Sequence, residues 1–368
     1  MSFAVKVVKI RDVIAHDNAD RLELAQIDGW QCVIQKGAYK AGDLAVYIPI
    51  DSVLPEAIET KLFGPDSKVK LSKGRVRTIK LRGAISQGML GPCDVLEVPA
   101  KEGYDCTEKL GIIKFEPPEA PANMRSGMSV KRRAENPLFH KYGGLDNFKN
   151  HNTIFAPGDD CIVTEKIHGS NFRCGWIPTA KDTLWKKVLG FFRLLPEYEF
   201  VFGSNNVQLQ NKMLLDSFGQ KNVYAEAVKK YNLKEQLKDW KGLLLYGEVY
   251  GDGIQKNYNY ECGPGEQKFI AFDLRYSKNG AFADWATFNL IMTTLPNVPT
   301  VPVLYEGPFD EAKIKALTKG NSVLAPTQKV REGVVIKSRA EVKCKIGRKC
   351  LKLISDEYLL KEDNTDFH

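Results

Sequence analysis

The chain has 368 residues and a mass of 41.3 kDa, a length that favours two domains over one at roughly 100–200 residues per domain. Hydrophobic residues make up 43% and charged residues 27%, which excludes wholesale disorder, a fibrous repeat and a coiled coil as the main architecture. No apolar run approaches the roughly 18 residues of a membrane-spanning helix, and the first residues lack the long apolar core of a secretory signal. We therefore expect an intracellular protein, cytoplasmic or nuclear, with no membrane span.

The net charge bears on a polyanionic partner, and the cysteines and histidines bear on metal binding. Lys and Arg number 53 against 45 Asp and Glu, a formal net charge of +8 that permits a polyanionic partner but also fits an ordinary basic protein. The eight cysteines include no Cys-x-x-Cys pair, and there are only five histidines. A zinc site is therefore not expected, and reduced, mostly buried thiols are predicted.

The first hundred residues are predicted to form short strands. Alternating or β-branched runs at residues 5–10, 31–34 and 44–48 are separated by turn signals such as Asp28-Gly29. Strands at this spacing predict a small barrel. The alternation slips before Lys80, which indicates a bulge or a strand boundary. Five basic side chains in this stretch are candidate contacts to nucleic-acid phosphates, with a solvated surface as the alternative: Lys73, Arg75, Arg77, Lys80 and Arg82.

The composition then changes. A Pro-rich and then basic stretch at residues 115–136 predicts an exposed linker. A larger domain that mixes strands with helices is expected over residues 137–368. A basic amphipathic helix is predicted over residues 185–195 and a second helix over residues 223–231. Buried strands are predicted for three apolar runs, at residues 243–246, 269–272 and 334–336.

The most informative segment is residues 163–172, which places Lys166 between apolar neighbours at the end of a predicted strand. Burial disfavours the charged form of a lysine, and the neutral amine is a nucleophile. Gly169 would let the backbone approach a phosphate closely. The spacing Lys-x-x-Gly is common in proteins, so the pattern around Lys166 taken alone favours an ordinary solvated lysine.

Several blocks of sequence, taken together, resemble a known family. The block EKIHGSNF at residues 165–172 resembles the nucleotide-accepting motif of the RNA ligase 2-like covalent nucleotidyltransferases, and residues 139–147 resemble the segment that precedes it. Further blocks follow in the family's order, at residues 203–206 (GSNN), 246–251 (YGEVYG), 269–273 (FIAFD), 332–337 (EGVVIK) and 351–355 (LKLIS). Residues 16–24 and 81–90 resemble OB barrels of the tRNA-binding type. A barrel of this kind before the ligase domain is similar to the RNA ligase 5 group.

The resemblance implies a fold class and an activity. The fold would be α+β, with an OB-fold barrel at residues 1–114, a linker at 115–136 and a nucleotidyltransferase domain of antiparallel sheets and helices at 137–368. The activity would be that of an ATP-dependent RNA ligase that joins 3′-hydroxyl and 5′-phosphate ends at nicks, by way of a lysyl-AMP intermediate. ATP with magnesium or manganese, and RNA or an RNA-containing nicked duplex, are the expected cofactors and partner. We expect a monomer with no obligatory protein partner and no membrane association.

The resemblance also implies roles for residues around the lysine. Lys166 would be the nucleophile. Glu165 would contact adenine, His168 the AMP phosphate, and Asn171 would position phosphates, with Ile167 in the same nucleotide-binding block. Their plainer alternatives are a surface carboxylate, a turn histidine and a turn-capping asparagine.

Further roles fall on the later blocks. Glu248 would accept a ribose hydroxyl, Phe272 would stack on adenine, and Lys352 would neutralise the α-phosphate. Glu332 would hold magnesium, or hold and deprotonate the nucleophilic lysine. Asp273 is a second candidate metal ligand, or would orient neighbouring cations. An edge-strand charge and a core aromatic are the alternatives for Glu248 and Phe272.

Two positions depart from the family pattern. Asn205 stands where the family carries a basic residue, which weakens its expected contact with nucleic acid. Cys350 stands at the first position of a Lys-x-Lys pair, where Lys349 or Arg348 could substitute. A DNA ligase or a capping guanylyltransferase, which share the lysine chemistry, and a non-catalytic RNA-binding protein remain the alternatives.

Overall fold

The computed structural model describes residues 3–65, 67, 70–115, 135–180, 196–209, 222–361 and 364–366. The chain forms two compact units. The first comprises residues 1–118, 146–156 and 351–368, and the second comprises residues 119–145 and 157–350. Within the described ranges both units consist mainly of short antiparallel strands with a few short helices, a mixed α+β architecture.

The elements follow one another in short steps along the chain. Strands before residue 116 are β1 (Lys6–Lys9), β2 (Asp12–Ala15), β3 (Leu22–Ile27), β4 (Trp30–Gln35), β5 (Leu44–Ile48), β6 (Ser52–Val53), β7 (Thr78–Leu81), β8 (Ala84–Gln87), β9 (Met89–Gly91) and β10 (Ile113–Lys114). Later strands are β11 (Asp146–Asn147), β12 (Asp160–Lys166), β13 (Ser170–Pro178), β14 (Tyr198–Ser204), β15 (Leu243–Gly251), β16 (Gln267–Tyr276), β17 (Val303–Pro308), β18 (Gly333–Ser338), β19 (Lys343–Cys344), β20 (Gly347–Arg348) and β21 (Cys350–Ile354). The α-helices are α1 (Glu56–Phe63), α2 (Val223–Lys230), α3 (Leu233–Gln236), α4 (Trp285–Thr293), α5 (Glu311–Leu317) and α6 (Asp356–Leu359), with 3-10 turns at Ser72–Gly74, Phe148–Asn150 and Leu237–Trp240.

The N-terminal part of the first unit is built from small antiparallel sheets. Strands β1, β5 and β9 form one sheet, β2, β3 and β4 form another, and β7–β8 and β6–β10 are two-stranded pairs. Asp28-Gly29 forms the turn between β3 and β4, and Asp28 has φ +49°, a left-handed conformation that aspartate tolerates. The predicted strands at residues 5–10, 31–34 and 44–48 correspond to β1, β4 and β5, which confirms them.

A C-terminal segment packs onto these strands within the same unit. Arg75 donates to Asp51 Oδ1 at 2.6 Å and to the carbonyl oxygen of Asn364 at 2.7 Å, and Asp366 N donates to Asp51 Oδ2 at 2.9 Å. Arg75 and Asp51 are 7% and 2% exposed. Burial raises the pKa of the Asp51 carboxyl, although the hydrogen bond from the Asp366 N–H and the charge of Arg75 oppose the rise. The predicted boundary near residue 136 stays a prediction, and the structure groups residues 351–368 with the N-terminal strands.

The second unit holds two antiparallel sheets. One has the strand order β14-β13-β15-β16, and in the other β12 pairs with β17 on one side and β18 on the other. Strand β15 is buried over nearly its whole length, and it begins with the apolar run at residues 243–246. The main core gathers Phe172, Phe202, Leu245 and Phe269. Because the consecutive strands β12 and β13 belong to different sheets, the turn at residues 167–169 carries the chain from one sheet to the other.

Most element predictions in this unit are confirmed. The apolar runs at residues 243–246, 269–272 and 334–336 lie in β15, β16 and β18. The helix predicted at residues 223–231 is α2, and Asn222 caps it by accepting from the N–H groups of Tyr224 and Ala225. The helix predicted at residues 185–195 and most of the predicted linker lie outside the described residues.

Two further predictions concern cysteines and membranes. All eight cysteines are free, and seven of them are buried, as predicted. In the part of the chain that the structure describes, every helix is too short or too polar to cross a membrane.

Candidate active site

Lys166 ends β12 and forms an ion pair at the start of β18. The strand register places it opposite Gly333, and its Nζ donates to Glu332 Oε1 at 2.8 Å. Glu332 is fully buried and the Lys166 side chain is 13% exposed. The other carboxylate oxygen of Glu332, Oε2, has no hydrogen-bond partner among the described residues. Lys166 is therefore an ion-paired amine beside a buried carboxylate oxygen that is still open to a donor or a cation.

The turn after Lys166 is tightly confined against β15. A Cβ built on Gly169 would lie 2.4 Å from the carbonyl oxygen of Val249 and 2.7 Å from Cγ of Glu248. No side chain fits in that space, so the glycine is required by the close approach of two backbones. The approach also brings the turn that carries the lysine next to the carboxyl group of Glu248.

His168 lies in the same turn and is buried. Its Nδ1 is 3.8 Å from Glu332 Oε1, and its ring packs edge-on against Tyr258 with 5.1 Å between centroids. Glu332 therefore faces both the lysine and the histidine that the sequence predicts as nucleotide contacts.

Glu248 and Asn171 are cross-strand partners on β15 and β13. Burial raises the pKa of the Glu248 carboxyl to about 8; Lys166 opposes the rise and Glu332 adds to it. Oδ1 of Asn171 is buried and has no partner among the described residues. A carboxyl group that can donate as well as accept, beside an amide oxygen that needs a donor, suits a hydroxyl-bearing ligand such as a ribose.

Glu165 and Ile167 flank the lysine but are anchored differently. Glu165 is 1% exposed, and its Oε2 accepts from the backbone N–H of Val323 at 2.8 Å. Its Oε1 lacks a hydrogen-bond partner within the described ranges. Alternation along β12 places Glu165 on the face opposite to Lys166. Ile167 is a 5% exposed core side chain, so its expected nucleotide contact would have to come from its backbone.

Asp273 lies within a cluster of cationic and hydroxyl donors. Lys337 Nζ is 3.3 Å from Oδ2, Arg348 Nη2 is 3.2 Å from Oδ1, and the Tyr142 hydroxyl donates to Oδ2 at 3.0 Å. Burial alone would raise the pKa of Asp273, but Lys337 and Arg348 outweigh it and hold the pKa below its ordinary value. This environment favours the predicted cation-orienting role over metal ligation. Phe272 is partly buried, and its ring packs edge-on against Tyr142 at 5.0 Å.

The last block of the sequence is divided between the units. Lys352 belongs to the first unit and donates to the carbonyl oxygen of Asp366. Cys350 is buried, and its thiol pKa is raised by that burial. Lys349, one of the two proposed substitutes for a cation at that position, pairs with Asp159 at 2.6 Å. Arg348, the other substitute, is held by Asp273 and Glu341.

The candidate nucleic-acid residues differ in their exposure. Lys73, Lys80 and Arg82 are exposed and Arg77 is partly exposed. Arg75 is not on that surface, because its guanidinium is buried against Asp51 and lies 4.0 Å from the centre of the Phe115 ring. Arg75 was predicted to contact a phosphate, but its guanidinium instead pairs with the buried carboxylate of Asp51.

The structure also shows where the alternation slips before Lys80 and what Asn205 contacts. The slip in alternation is a strand boundary, since β7 begins at Thr78. The Asn205 side-chain oxygen accepts from the backbone N–H of Tyr142 at 2.8 Å. Contact between Asn205 and nucleic acid stays a prediction.

Three residues near the lysine were not foreseen. Gln255 donates to the carbonyl oxygen of Gly169 at 2.7 Å, and the Tyr260 hydroxyl accepts from the N–H of His168 at 2.7 Å. Tyr258 packs on the His168 ring. They lie between two recognised blocks in a stretch of ordinary turn composition, so no periodicity or motif marked them.

The acidic side chains near Lys166 could supply one carboxylate ligand to a metal ion. Within the described ranges, no three His, Cys, Asp or Glu side chains come together in a group that could hold a metal ion. Among the described residues, Oε2 of Glu332, the carboxylate that holds Lys166, has no hydrogen-bond partner. One carboxylate, completed by phosphate oxygens and water, is the usual way in which proteins hold magnesium on a nucleotide, so the site fits that mode.

Comparisons with known proteins identify the family of the chain. The RNA ligase family model matches residues 159–354, more than half of the chain, and an OB-fold domain model matches residues 4–93. A variant of Naegleria gruberi RNA ligase with ATP and manganese is similar, with a TM-score of 0.74, 26% identity and coverage of 97% of this chain and 98% of that chain. The same enzyme with pyrophosphate has a TM-score of 0.74, 25% identity and coverage of 98% of both chains. A variant with AMP and manganese has a TM-score of 0.74, 25% identity and coverage of 97% and 98%. A search of curated proteins found no match.

An N-terminal OB fold followed by a sheet-rich nucleotidyltransferase-type unit, with a lysine held by a buried glutamate, defines a nucleotidyltransferase of the ligase type. The chain belongs to the RNA ligase family and is a ligase enzyme. The predicted fold class and family are thereby confirmed. The ligase assignment disagrees with the alternative of a non-catalytic RNA-binding protein.

Proposed function

We propose that this enzyme is an ATP-dependent RNA ligase that seals 3′-hydroxyl and 5′-phosphate ends at nicks through a lysyl-AMP intermediate on Lys166. The observation that carries the proposal is the 2.8 Å contact between Lys166 Nζ and the fully buried Glu332. The similar Naegleria enzyme has been solved with ATP and manganese, with AMP and manganese, and with pyrophosphate. These are the substrate and products expected of adenylyl transfer.

The first step follows from the ion pair. Glu332 Oε1 takes a proton from Lys166 Nζ, which leaves a neutral amine with a free electron pair. The amine attacks the α-phosphorus of ATP and an N–P bond forms, the bond to the bridging oxygen breaks so that pyrophosphate leaves with the electron pair, and the attacking nitrogen releases its second proton to solvent. The 5′-phosphate of RNA then displaces lysine from AMP. Finally, the 3′-hydroxyl attacks the activated 5′-phosphate and releases AMP.

Residues around Lys166 would bind the nucleotide. Glu248 and Asn171 would hold the ribose and phosphates, because Oδ1 of Asn171 has no partner among the described residues and the raised pKa of Glu248 lets its carboxyl group donate as well as accept. His168 would contact the transferring phosphate, since it already faces Glu332. Phe272, partly buried at the end of an aromatic cluster, would stack on adenine.

Two further residues, Glu165 and Lys352, would also contact the nucleotide. Glu165 would contact adenine with the oxygen that has no partner within the described ranges. Lys352 would neutralise the α-phosphate after leaving its contact with Asp366.

Magnesium or manganese would be held by Glu332 together with the phosphates of ATP. Such a cation would withdraw charge from the phosphate oxygens and so make the α-phosphorus more electrophilic. Asp273 would serve as an orienting carboxylate for Lys337 and Arg348.

The OB-fold part would recruit RNA through its exposed cations. Lys73, Lys80 and Arg82 are exposed, and contacts of this kind bind nucleic acid without regard to sequence, as repair of RNA breaks requires. Replacing all three with alanine should reduce the salt dependence of RNA affinity by a slope of about 2 to 3, at roughly 0.7–0.9 per lost contact. An unchanged slope would show that RNA binds elsewhere.

Labelling with ATP radioactive at the α-phosphate tests the chemistry. The wild-type protein should carry acid-stable label, and Lys166→Ala should carry none. Lys229→Ala, an exposed lysine on α2 that pairs with Glu226, is the matched control and should label as the wild type does. Label on Lys166→Ala equal to that of the wild type would refute the proposal.

Sealing tests the substrate. The labelled enzyme should lose its AMP to a nicked duplex that carries an RNA 3′-hydroxyl strand, with AMP released on sealing. A duplex with a DNA 3′-hydroxyl strand serves as the comparison. Faster sealing of the DNA nick would contradict the assignment of RNA as substrate.

A further inference from the structure

A loop between β15 and β16 covers the turn that follows Lys166. We call residues 254–262 the tyrosine loop. Tyr258 and Tyr260 are 1% and 3% exposed, and their rings pack against each other with 5.9 Å between centroids. Tyr250 on β15 supports Tyr260 through an edge-on ring contact at 5.4 Å. The two tyrosines of the loop are thus fixed in the interior.

The backbone of the tyrosine loop is strained. Asn257, Tyr260 and Glu261 have φ values of +65°, +49° and +58°. Asparagine tolerates this region, but for a bulky residue such as tyrosine it is a true outlier. Strain of this kind persists where surrounding contacts over-determine it, and it is concentrated at functional sites.

The tyrosine loop contacts the turn at residues 167–169, which follows Lys166, at two backbone positions. The Tyr260 hydroxyl accepts from the His168 N–H at 2.7 Å, and Gln255 Nε2 donates to the Gly169 carbonyl oxygen at 2.7 Å. A side-chain contact adds to these, because the Tyr258 ring packs edge-on against the His168 ring.

The loop is also bound to the segment that leads into β18. Glu261 accepts from the N–H and hydroxyl of Thr327 at 2.9 and 2.7 Å. Tyr258 donates to the carbonyl oxygen of Val330, two residues before Glu332. The tyrosine loop therefore connects the segment that bears His168 with the segment that bears Glu332.

We infer that Tyr260 is a positioning residue for adenylyl transfer, which holds His168 toward the phosphate of the nucleotide. This inference rests on the proposed function. The Tyr260 hydroxyl fixes the backbone of His168, the Tyr258 ring fixes its imidazole, and Glu332 lies 3.8 Å from its Nδ1. Without the hydroxyl, the backbone that carries the imidazole would no longer be fixed, while the nucleophile, Lys166, would stay paired with Glu332.

The test is Tyr260→Phe, which removes the acceptor and keeps the ring. Single-turnover labelling at saturating ATP should slow about 10-fold, the loss expected from one hydrogen bond that acts on the transition state. Tyr231→Phe is the matched control, because the Tyr231 hydroxyl also accepts from a backbone N–H, that of Phe269 at 3.2 Å in the core. This control should label at the wild-type rate even if its melting temperature falls as much as that of Tyr260→Phe.

A double-mutant cycle separates positioning from simple loss of stability. If Tyr260 acts through the imidazole, Tyr260→Phe should slow labelling no further in a His168→Ala background. Full additivity of the two losses would overturn the inference, as would a wild-type rate for Tyr260→Phe. Failure of the wild type to label would refute the proposed function instead, so the two failures are distinguishable.

Discussion

Replacing Gly169 with alanine should slow adenylylation by shifting the turn that follows Lys166. The added Cβ would stand 2.4 Å from the carbonyl oxygen of Val249, whereas real Cβ contacts stay beyond 3.0 Å. Val249 is paired on both sides, with Ser170 and Phe269, so β15 cannot move away. The turn must therefore shift by about 0.6 Å, the difference between 2.4 and 3.0 Å.

The shift sets the size of the effect. A misplacement of about 1 Å can cost roughly 100-fold in rate, so a shift of this size should slow labelling by about 10-fold or more. Overpacking of this kind also lowers the free energy of unfolding by about 1–3 kcal/mol. The rate is measured by single-turnover transfer of α-labelled AMP at saturating ATP, and stability by thermal melting.

Gly263→Ala is the matched control, because a Cβ there meets nothing within 4 Å. It should leave both rate and melting temperature unchanged. A Gly169→Ala protein that labels within twofold of the wild type would refute the argument that this close approach positions the lysine. A fall in melting temperature without a fall in rate would show that the strain is absorbed elsewhere.

The remaining predictions concern charge and burial. Glu332→Gln cannot accept a proton, so labelling should fall by about 100-fold or more, whereas an unchanged rate would exclude Glu332 as the base. The raised pKa of Glu248, about 8, means that its folded form prefers the proton, so its stabilising contribution is present at low pH and lost as the pH rises through 8. Glu248→Gln should therefore melt progressively higher than the wild type as the pH rises from 5 to about 9, and a constant difference across that pH range would contradict the shift. Arg75→Ala leaves Asp51 buried without its cation and should cost about 3–5 kcal/mol of unfolding free energy, against less than about 0.5 for the exposed Lys80→Ala. Equal melting temperatures for these last two variants would show that the Arg75 pair is not structural.

Much of the fold could be predicted from local sequence. Strands such as β5 and β15 and helix α2 are marked by β-branched runs, continuous apolar runs or capping residues, which act over a few neighbouring positions. The block around Lys166 was recognisable because its residue types and their order resemble a family. These features could be predicted because each one is specified by residues that are close together in the sequence.

Other features depended on residues far apart in the chain. The distance between Lys166 and Glu332, separated by 166 positions, is set by the register of β12 and β18. Arg75 is in a run of basic residues that predicts exposure, yet it is buried and donates to Asp51 and to the carbonyl oxygen of Asn364, 289 positions away. No local pattern contains that information, since burial is a property of the assembled unit.

The chemistry of the site was also predicted in part from the sequence and decided in part by the tertiary structure. The resemblance of the sequence blocks to a family predicted a nucleophilic lysine and a glutamate to hold or activate it, and the basic residues before position 83 predicted a surface for RNA. Only the tertiary structure placed cations on Asp273, which favours its orienting role over metal binding, and brought Tyr260 to the backbone of His168. The physical reason is that a side chain's charge partners and solvent exposure are decided by neighbours that the fold brings together, whereas its intrinsic chemistry is present in the sequence from the start.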